Sequence, residues 1–566
     1  MQYFCIIMLP EQNNIPISLS LMGHPKKAKR SLSPFINKRI FYLSVQAVIN
    51  AVLVGFVAKG MVYLIDLITN LSFYGKFSLE PASPAGQHLG WMVVLVPIVG
   101  SIIVGVMARF GSKAIRGHGI PEAMEKIILE DSKIPWIITF LKPLSAAISI
   151  GTGGPFGAEG PIIATGGALG SVTGQFAHIS SAERKVLLAA GACAGMAAIF
   201  GSPLAGVLLA IELLLFEFSP KSLIPVALAC AMGAGMHIWL FGSAPVFKMA
   251  DIPVPSGIAL AIYTGAGVLI GVVASGITWS VYAVEDVFEK LPIHWMWWPA
   301  IGAVAVGVVG YFAPYTMGVG YDNIRQLLSG HIPLTLILGL CFLKYISWVI
   351  SLGSGTSGGT LAPLFTIGGG LGLLMGTMLL RYFPNAGINM ETAALIGMAA
   401  LFAGSSRALL TAIVFSLETT GRMNGLLPLL GACTASYFVS FFFMKGSIMT
   451  EKILRRGVNA PDSYEPDVLQ GVKVSQLSTP LAPGEVSADL PVIFADDDAA
   501  AAAGMMGRYG VDALSVSNEE NVIGTITSAS LMRYYWEQKG KKQEYHSPLV
   551  TRKLLARGRQ FTHRKK

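Results

Sequence analysis

Residues Gly151 to Gly170 read GTGGPFGAEGPIIATGGALG, a glycine-rich turn that carries one carboxylate, Glu159, between apolar segments long enough to lie in a membrane. An acid in such surroundings is costly to desolvate, so an ionisable residue inside a membrane domain is read first as functional. The stretch recurs at Gly353 to Gly372, GSGTSGGTLAPLFTIGGGLG, at an offset of 202. Gly151/Gly353, Gly157/Gly359, Pro161/Pro363, Gly166/Gly368 and Gly170/Gly372 are identical pairs, and the same offset carries Met196 to Phe200 onto Met398 to Phe402. A shared proline and a register held across both motifs point to an internal duplication. Paired apolar segments interrupted by Gly and Pro in corresponding halves mark a midplane binding site in a transporter. Glu159 of the first copy falls on Leu361 of the second, so the halves are not equivalent.

The 566 residues are 53% hydrophobic and 13% charged, the composition of a polytopic membrane protein. Expected spans are Ile40 to Ile68, Met92 to Ala108, Ile134 to Ile150, Ile224 to Phe241, Ile258 to Val284, Trp298 to Phe312, Leu334 to Leu352 and Leu426 to Met444. The shorter runs Ile162 to Phe176 and Val186 to Phe200 fit half-helices buried in protein. The formal charge of +9 gathers at the ends: Lys26, Lys27, Lys29, Arg30, Lys38 and Arg39 before the first span, and Arg455, Arg456 and the tail from Lys539 to Lys566 after the last. Both flanks are therefore expected in the cytoplasm, against the lipid bilayer rather than nucleic acid. The opening MQYFCIIMLP lacks the basic n-region of a signal peptide, and the cysteines Cys5, Cys193, Cys230, Cys341 and Cys433 form no CxxC and read as packing residues.

Small residues leading into Pro, with an acid in the first turn, announce a helix N-terminus at Gly117-His118-Gly119-Ile120-Pro121-Glu122. Two further starts follow at Gly160-Pro161 and Ala362-Pro363. Three such N-termini converging present unpaired N–H groups and positive dipole ends to one point, which favours an anion. A cation path would show rings of acids or filter carbonyls. Between Pro161 and Leu291 the acids are few: Glu183, Glu212, Glu217, Asp251, Glu285, Asp286 and Glu289. That argues against a divalent-cation channel, and His118 has no partner in sequence for an intramembrane hydrolase. No enzymatic activity, metal site or cofactor is expected.

Three ordered motifs, GHGIPEA at 117–123, GAEGP at 157–161 and GGTLAP at 358–363, together with Ser447-Ile448-Met449-Thr450-Glu451-Lys452, resemble the CLC family of chloride channels and chloride/proton antiporters over roughly 40–457. The resemblance implies an all-α polytopic fold of two inverted-topology repeats of tilted and broken helices, and a homodimer with one pore per subunit. It makes Glu159 the gating glutamate, occupying an anion site when ionised and swinging away when protonated. Anion binding falls to Gly117, His118, Gly119, Ile120, Gly157, Ala158, Gly160, Gly359, Thr360, Leu361 and Met449.

Departures from the family pattern carry their own expectations. His118 stands where Ser often coordinates the central anion; it either donates an N–H to the anion or is a hydrogen-bonded loop histidine. Met449 replaces a hydroxyl-bearing Tyr, Leu361 a Phe, and Ala158 an Arg. Coupled members carry two successive acids where this chain reads Glu212-Leu213, so the proton relay position is Leu213. Glu212 reads as a structural acid near a helix end at the dimer interface, with a relay role as its alternative. The expectation is a passive voltage- or pH-dependent chloride channel, with a chloride/proton antiporter of non-standard internal proton path as the alternative. Lys142 is read either as raising potential for anion entry or as snorkelling, and Glu418 and Arg407 as structural.

The chain is divided into a basic N-terminal segment at 1–39, a transmembrane domain at 40–457 with halves at about 40–245 and 257–457, a linker at 458–490, a module at 491–537 and a basic tail at 538–566. The module has the order β-α-β-β-α and resembles a single CBS module, with Leu469 to Leu490 as a worn lead-in. Ser530 stands where nucleotide-binding members carry Asp, so dimer contact rather than adenine nucleotide binding is expected there.

Overall fold

In a computed structural model, described for residues 34–129, 132–177, 179–455, 457, 468–480, 490–518 and 521–545, the duplication becomes visible as paired helices. The basic residues between Lys26 and Arg30, Arg456, the tail beyond 545 and Cys5 lie outside the described residues. The first half contains α1 (Pro34–Thr69), α2 (Leu95–Phe110), α3 (Ile120–Leu129), α4 (Ile138–Gly151), α5 (Glu159–Phe176), α6 (Ser181–Phe200), α7 (Pro203–Leu209) with a π-helical extension Ala210–Leu215, and α8 (Pro220–Phe241). The second half contains α9 (Gly257–Glu289), α10 (Trp298–Phe312), α11 (Tyr321–Leu328), α12 (Leu334–Leu338), which runs through a π-helical turn into α13 (Lys344–Gly353), α14 (Leu361–Tyr382), α15 (Met390–Ser406), α16 (Leu409–Thr420) and α17 (Leu426–Phe443). The neighbour relations repeat: α1 packs on α4, α6 and α8 as α9 packs on α13, α15 and α17, and α5 packs on α6 as α14 packs on α15. The fold is two inverted-topology repeats of tilted and broken helices.

Eight helical segments among the described residues are long and apolar enough to cross a membrane. Two differ from the sequence expectation. The run Ile134 to Ile150 begins with a turn at Pro135, whose carbonyl accepts from Ile138 N, and only the 14 residues of α4 are helical. Conversely α14, read as part of an interrupted motif, continues for 22 residues, because its glycines serve packing and not breakage.

Without a hydrophobic drive between helices in lipid, close approach needs small residues at the contact. The inward face of α1 carries Ala47, Ala51, Val54 and Ala58, all fully buried, while Phe41, Ile49, Leu53 and Phe56 point outward. The repeated glycines go further. A methyl at Gly166 would collide with the carbonyl oxygen of Gly191, one at Gly170 with that of Leu187, and in the second half one at Gly368 with that of Gly397 and one at Gly372 with that of Ala393. The backbones of α5 and α6, and of α14 and α15, therefore touch directly at corresponding places.

The halves also cap each other. Glu212 accepts from Leu410 N and Thr411 N, both at 2.9 Å, at the start of α16. Glu418, on α16, accepts from Leu204 N at 3.0 Å and Ala205 N at 2.9 Å, at the start of α7. Each acid satisfies first-turn N–H groups that the opposite helix cannot satisfy itself.

After α18 (Glu451–Leu454), residues 468–480 hold α19 (Val474–Leu477) and β1 (Thr479–Pro480), followed by β2 (Val492–Phe494), α20 (Ala499–Tyr509), β3 (Ala513–Ser517), β4 (Val522–Thr527) and α21 (Ser528–Tyr545). The sheet order is β1-β4-β3-β2, with β2 parallel to β3 and the other pairs antiparallel. Val474 packs with Ile493, Leu514, Val516 and Ile526, so part of the stretch expected as a linker contributes to the module's core. Ser530 exchanges hydrogen bonds with Thr527 as a helix cap of α21.

Gly191→Ala should lower the stability of the solubilised protein by about 1–3 kcal/mol through overpacking. Gly60→Ala, on α1 with nothing within 4 Å of the added methyl, serves as the control. Thermal melting followed by tryptophan fluorescence reads the difference, and equal midpoints would contradict the contact.

Candidate anion site

The loops that precede α3, α5 and α14 meet in the centre of the transmembrane domain. Gly157 N donates to Gly359 O at 3.1 Å and Gly359 N donates back to Gly157 O at 2.9 Å, an antiparallel bridge joining the two copies of the repeated motif. Gly117 N donates to Thr356 O at 2.9 Å, which draws the third loop into the same cluster. Gly160 lies against the His118 carbonyl on one side and Gly359 on the other, and a side chain there would displace both. Gly117 and Gly119 have φ of +92° and +97°, a backbone state that glycine adopts without penalty. The glycines of these motifs thus allow three chains to approach within backbone contact.

Each loop ends at a helix start: Ile120 opens α3, Ala158 is the N-cap of α5, and Thr360 is the N-cap of α14. Pro121, Pro161 and Pro363 occupy first turns, where their missing N–H costs nothing. First-turn N–H groups have no partner within their own helix, so three sets of donors and three positive dipole ends face one buried region.

Glu159 sits in the middle, fully buried on the first turn of α5. Its Oε1 accepts a hydrogen bond from the Tyr321 hydroxyl at 3.2 Å. Its Oε2 has no hydrogen-bond partner and lies beside Gly157 and Gly359. The carboxylate thus lies between the two copies of the repeated motif.

Two buried lysines flank the cluster, one from each half. Lys142 on α4 donates from Nζ to Ile115 O and Gly117 O, both at 2.8 Å. Lys344, 202 positions on, donates to Thr316 O at 3.1 Å and Gly318 O at 3.4 Å. Lys142 is not snorkelling: its ammonium is 1% exposed and bound to the loop that leads into α3. Each lysine ties together two carbonyl oxygens of the loop that leads into a short helix, α3 in the first half and α11 in the second.

On the α3 side, Glu122 accepts from Gly119 N at 2.6 Å and pairs with Lys452 at 2.9 Å, which fastens the 447–454 segment to α3. Met449 is fully buried in that segment, whose Ile448 N donates to Ser405 O while Ile448 O accepts from the Tyr282 hydroxyl. His118 is 6% exposed and its Nδ1 has no hydrogen-bond partner. Whether that nitrogen donates or accepts is set by the tautomer. Leu361 is buried at the first position of α14.

Leu213 is buried in the π-helical turn, which packs on α3. Glu212 belongs to the same turn but faces elsewhere: besides its two backbone donors it accepts from the Thr411 hydroxyl at 2.7 Å. The lysine pair could have been found from the 202-residue offset. Tyr321 has no motif around it and was missed.

A family description, "Voltage gated chloride channel", matches residues 99–441. The H(+)/Cl(-) exchange transporter ClcA of Yersinia pestis bv. Antiqua (strain Angola) is 30% identical over 378 residues, covering 64% of this chain and 77% of the relative. That of Salmonella typhimurium (strain LT2) is 29% identical over 394 residues, covering 68% and 81%. Among solved structures, a slow cyanobacterial Cl-/H+ antiporter superposes with TM-score 0.64 at 23% identity, covering 72% of this chain and 97% of that one. A eukaryotic CLC transporter does so with TM-score 0.61 at 18% identity, covering 88% and 98%. With a family match over more than half its length, and with the loops before α5 and α14 joined by reciprocal glycine bonds and that before α3 by Gly117, the chain belongs to the CLC family of voltage-gated chloride channels and chloride transporters.

Proposed function

We propose that this chain is a chloride/proton exchanger whose gate is Glu159. The observation that carries the reading is the position of that carboxylate: buried, on the first turn of α5, among the helix starts that would hold an anion. The passive channel expected from Leu213 gives way here, because the relatives and the cyanobacterial structure are named as exchangers or antiporters. Ionised, Glu159 competes with chloride for the donors; protonated, it loses its charge and its hold on them, and leaves. One residue then handles both ions in alternation.

Exchange without an acid at position 213 needs another inner route for the proton, such as a chain of ordered water. Glu212 is a poor substitute, since moving its carboxylate would uncap α16. Chloride is held chiefly by backbone N–H groups of Gly117 to Ile120, Gly157 to Gly160 and Gly359 to Leu361, with His118 supplying a side-chain donor in place of a hydroxyl. Met449 adds shape and no donor. We further assign the protein to the cytoplasmic membrane as a homodimer with both termini in the cytoplasm, on the basic residues Lys38 and Arg39 before the first span and on the family relation. The small α/β module is read as a CBS-like dimer contact, since Ser530 is occupied as a helix cap.

Reversal potentials measured across a pH gradient test the exchange. They should depart from the chloride equilibrium value in the unmodified protein and depart equally in Glu212→Ala; a reversal potential that ignores the pH gradient would leave a channel. Glu159→Gln should make chloride flux from liposomes independent of pH, and retention of the parent's pH profile would remove Glu159 from the gate. His118→Ala should weaken chloride binding by roughly tenfold, the loss of one hydrogen bond to a charged ligand. Isothermal calorimetry reads that change, and an unaltered affinity would return His118 to a packing role.

A further inference from the structure

The Glu159 carboxylate has one side-chain hydrogen-bond donor among the described residues, and that donor comes from the other half of the molecule. Tyr321 is the first residue of α11, the counterpart of Ile120 at the start of α3. Gly320 before it has φ of +78°, and this left-handed turn leads directly into the helix that carries the ring. The ring is held on two sides by aromatic neighbours. Phe200, at the end of α6, and Phe247, in the loop after α8, meet it at 5.8 Å and 5.9 Å between centroids, both edge-to-face. Phe200 is itself braced by Phe415 of α16 at 4.8 Å. These contacts leave the ring little freedom, so the hydroxyl occupies a set place beside Glu159.

We propose that Tyr321 is the latch of the gate, a positioning residue that holds the ionised Glu159 side chain in the anion path through its phenolic hydroxyl. The inference rests on the reading of Glu159 as the gate and adds what keeps the gate shut. A hydrogen bond to an ionised acceptor is about twice as strong as one between neutral groups. The latch therefore grips the charged carboxylate and slackens when the carboxyl takes up a proton, which is the moment at which the side chain must leave.

The other groups facing the carboxylate do not share this role. Lys344 of α13 acts on it electrostatically, but its ammonium is bound to the carbonyls of Thr316 and Gly318. Arg325, one turn along α11, acts on Tyr321 and donates to Val246 O and Asp322. The loop before α3 brings His118, whose carbonyl oxygen lies against Gly160. Within α5 Glu159 is the only titratable residue, and in α14 the titratable residues, Arg381 and Tyr382, stand at the far end. Among the side chains of the described residues, the hydroxyl of Tyr321 is the donor that reaches a carboxylate oxygen; the other hydrogen bond comes from the backbone of Glu159 itself.

The test is chloride efflux from liposomes as a function of pH for the unmodified protein, Tyr321→Phe, Glu159→Gln and the double variant. Phenylalanine keeps the ring and its packing and removes only the donor. Tyr321→Phe should move the pH at which flux falls to half upward by roughly one unit, because a weaker hold on the charged gate requires more of it to be ionised before the path closes. In the Glu159→Gln background the same change should have no effect on the profile. An unmoved midpoint in Tyr321→Phe, with pH dependence still abolished by Glu159→Gln, overturns the latch and leaves the gate intact. An effect of equal size in both backgrounds also overturns it, assigning the change to ring packing. Persistence of pH dependence in Glu159→Gln removes the gate reading itself and the latch with it.

Discussion

A membrane interior holds no water to satisfy a bare N–H, and this protein starts three helices there. That constraint orders the rest. The helix starts of α3, α5 and α14 can coexist only if something negative satisfies them, and they can approach only if their loops carry no side chains. Gly157 and Gly359 answer the second need with their reciprocal hydrogen bonds, and Glu159 places a buried carboxylate among the helix starts. Carbonyl oxygens in the same loops would repel an anion. Lys142 binds the carbonyl oxygens of Ile115 and Gly117 in the loop before α3, and Lys344 binds those of Thr316 and Gly318 in the loop before α11. The arrangement serves a small, weakly basic anion because its donors are fixed in place and mostly uncharged.

Duplication supplies the scaffold, and the two copies are joined by exchange of structural parts rather than by simple apposition. Glu212 caps α16 and Glu418 caps α7, so each half stabilises a helix start of the other. This has a functional cost. A carboxylate that accepts two backbone N–H groups and a hydroxyl cannot move to carry protons without exposing those donors. In the proposed exchange, the inner half of the proton route differs from a relay of two successive acids. The two oxygens of Glu159 are unequally held, one by Tyr321 and one by no hydrogen bond at all.

Much of this was legible in the chain because glycine, proline and a lone buried acid have few other uses inside a membrane. The offset of 202 exposed the repeat, the Pro-led starts located the helix N-termini, and the position of Glu159 marked the site. What escaped depended on contacts between segments distant in sequence. Tyr321 meets Glu159 across 162 positions, and nothing in the local pattern of α11 signals it. The cap made by Glu212 spans 198 positions to Leu410, so the local order Glu212-Leu213 revealed a missing relay but not what the remaining acid does. The glycines of α14, which interrupt the apolar run in sequence, are contact points against α15. The inference from Leu213 to a channel fits the comparisons less well than its antiporter alternative, since the relatives are named as exchangers.

The central claim is that the Glu159 carboxylate and a transported anion compete for one place among the three helix starts. Anomalous diffraction from crystals grown in bromide addresses it most directly. The unmodified protein at alkaline pH should show no bromide beside Gly157 and Gly359, where the carboxylate lies, and Glu159→Gln should show a bromide peak there within hydrogen-bond distance of first-turn N–H groups. A peak at that place in the unmodified protein with Glu159 unmoved, or a Glu159→Gln crystal with bromide bound only elsewhere, would contradict the account.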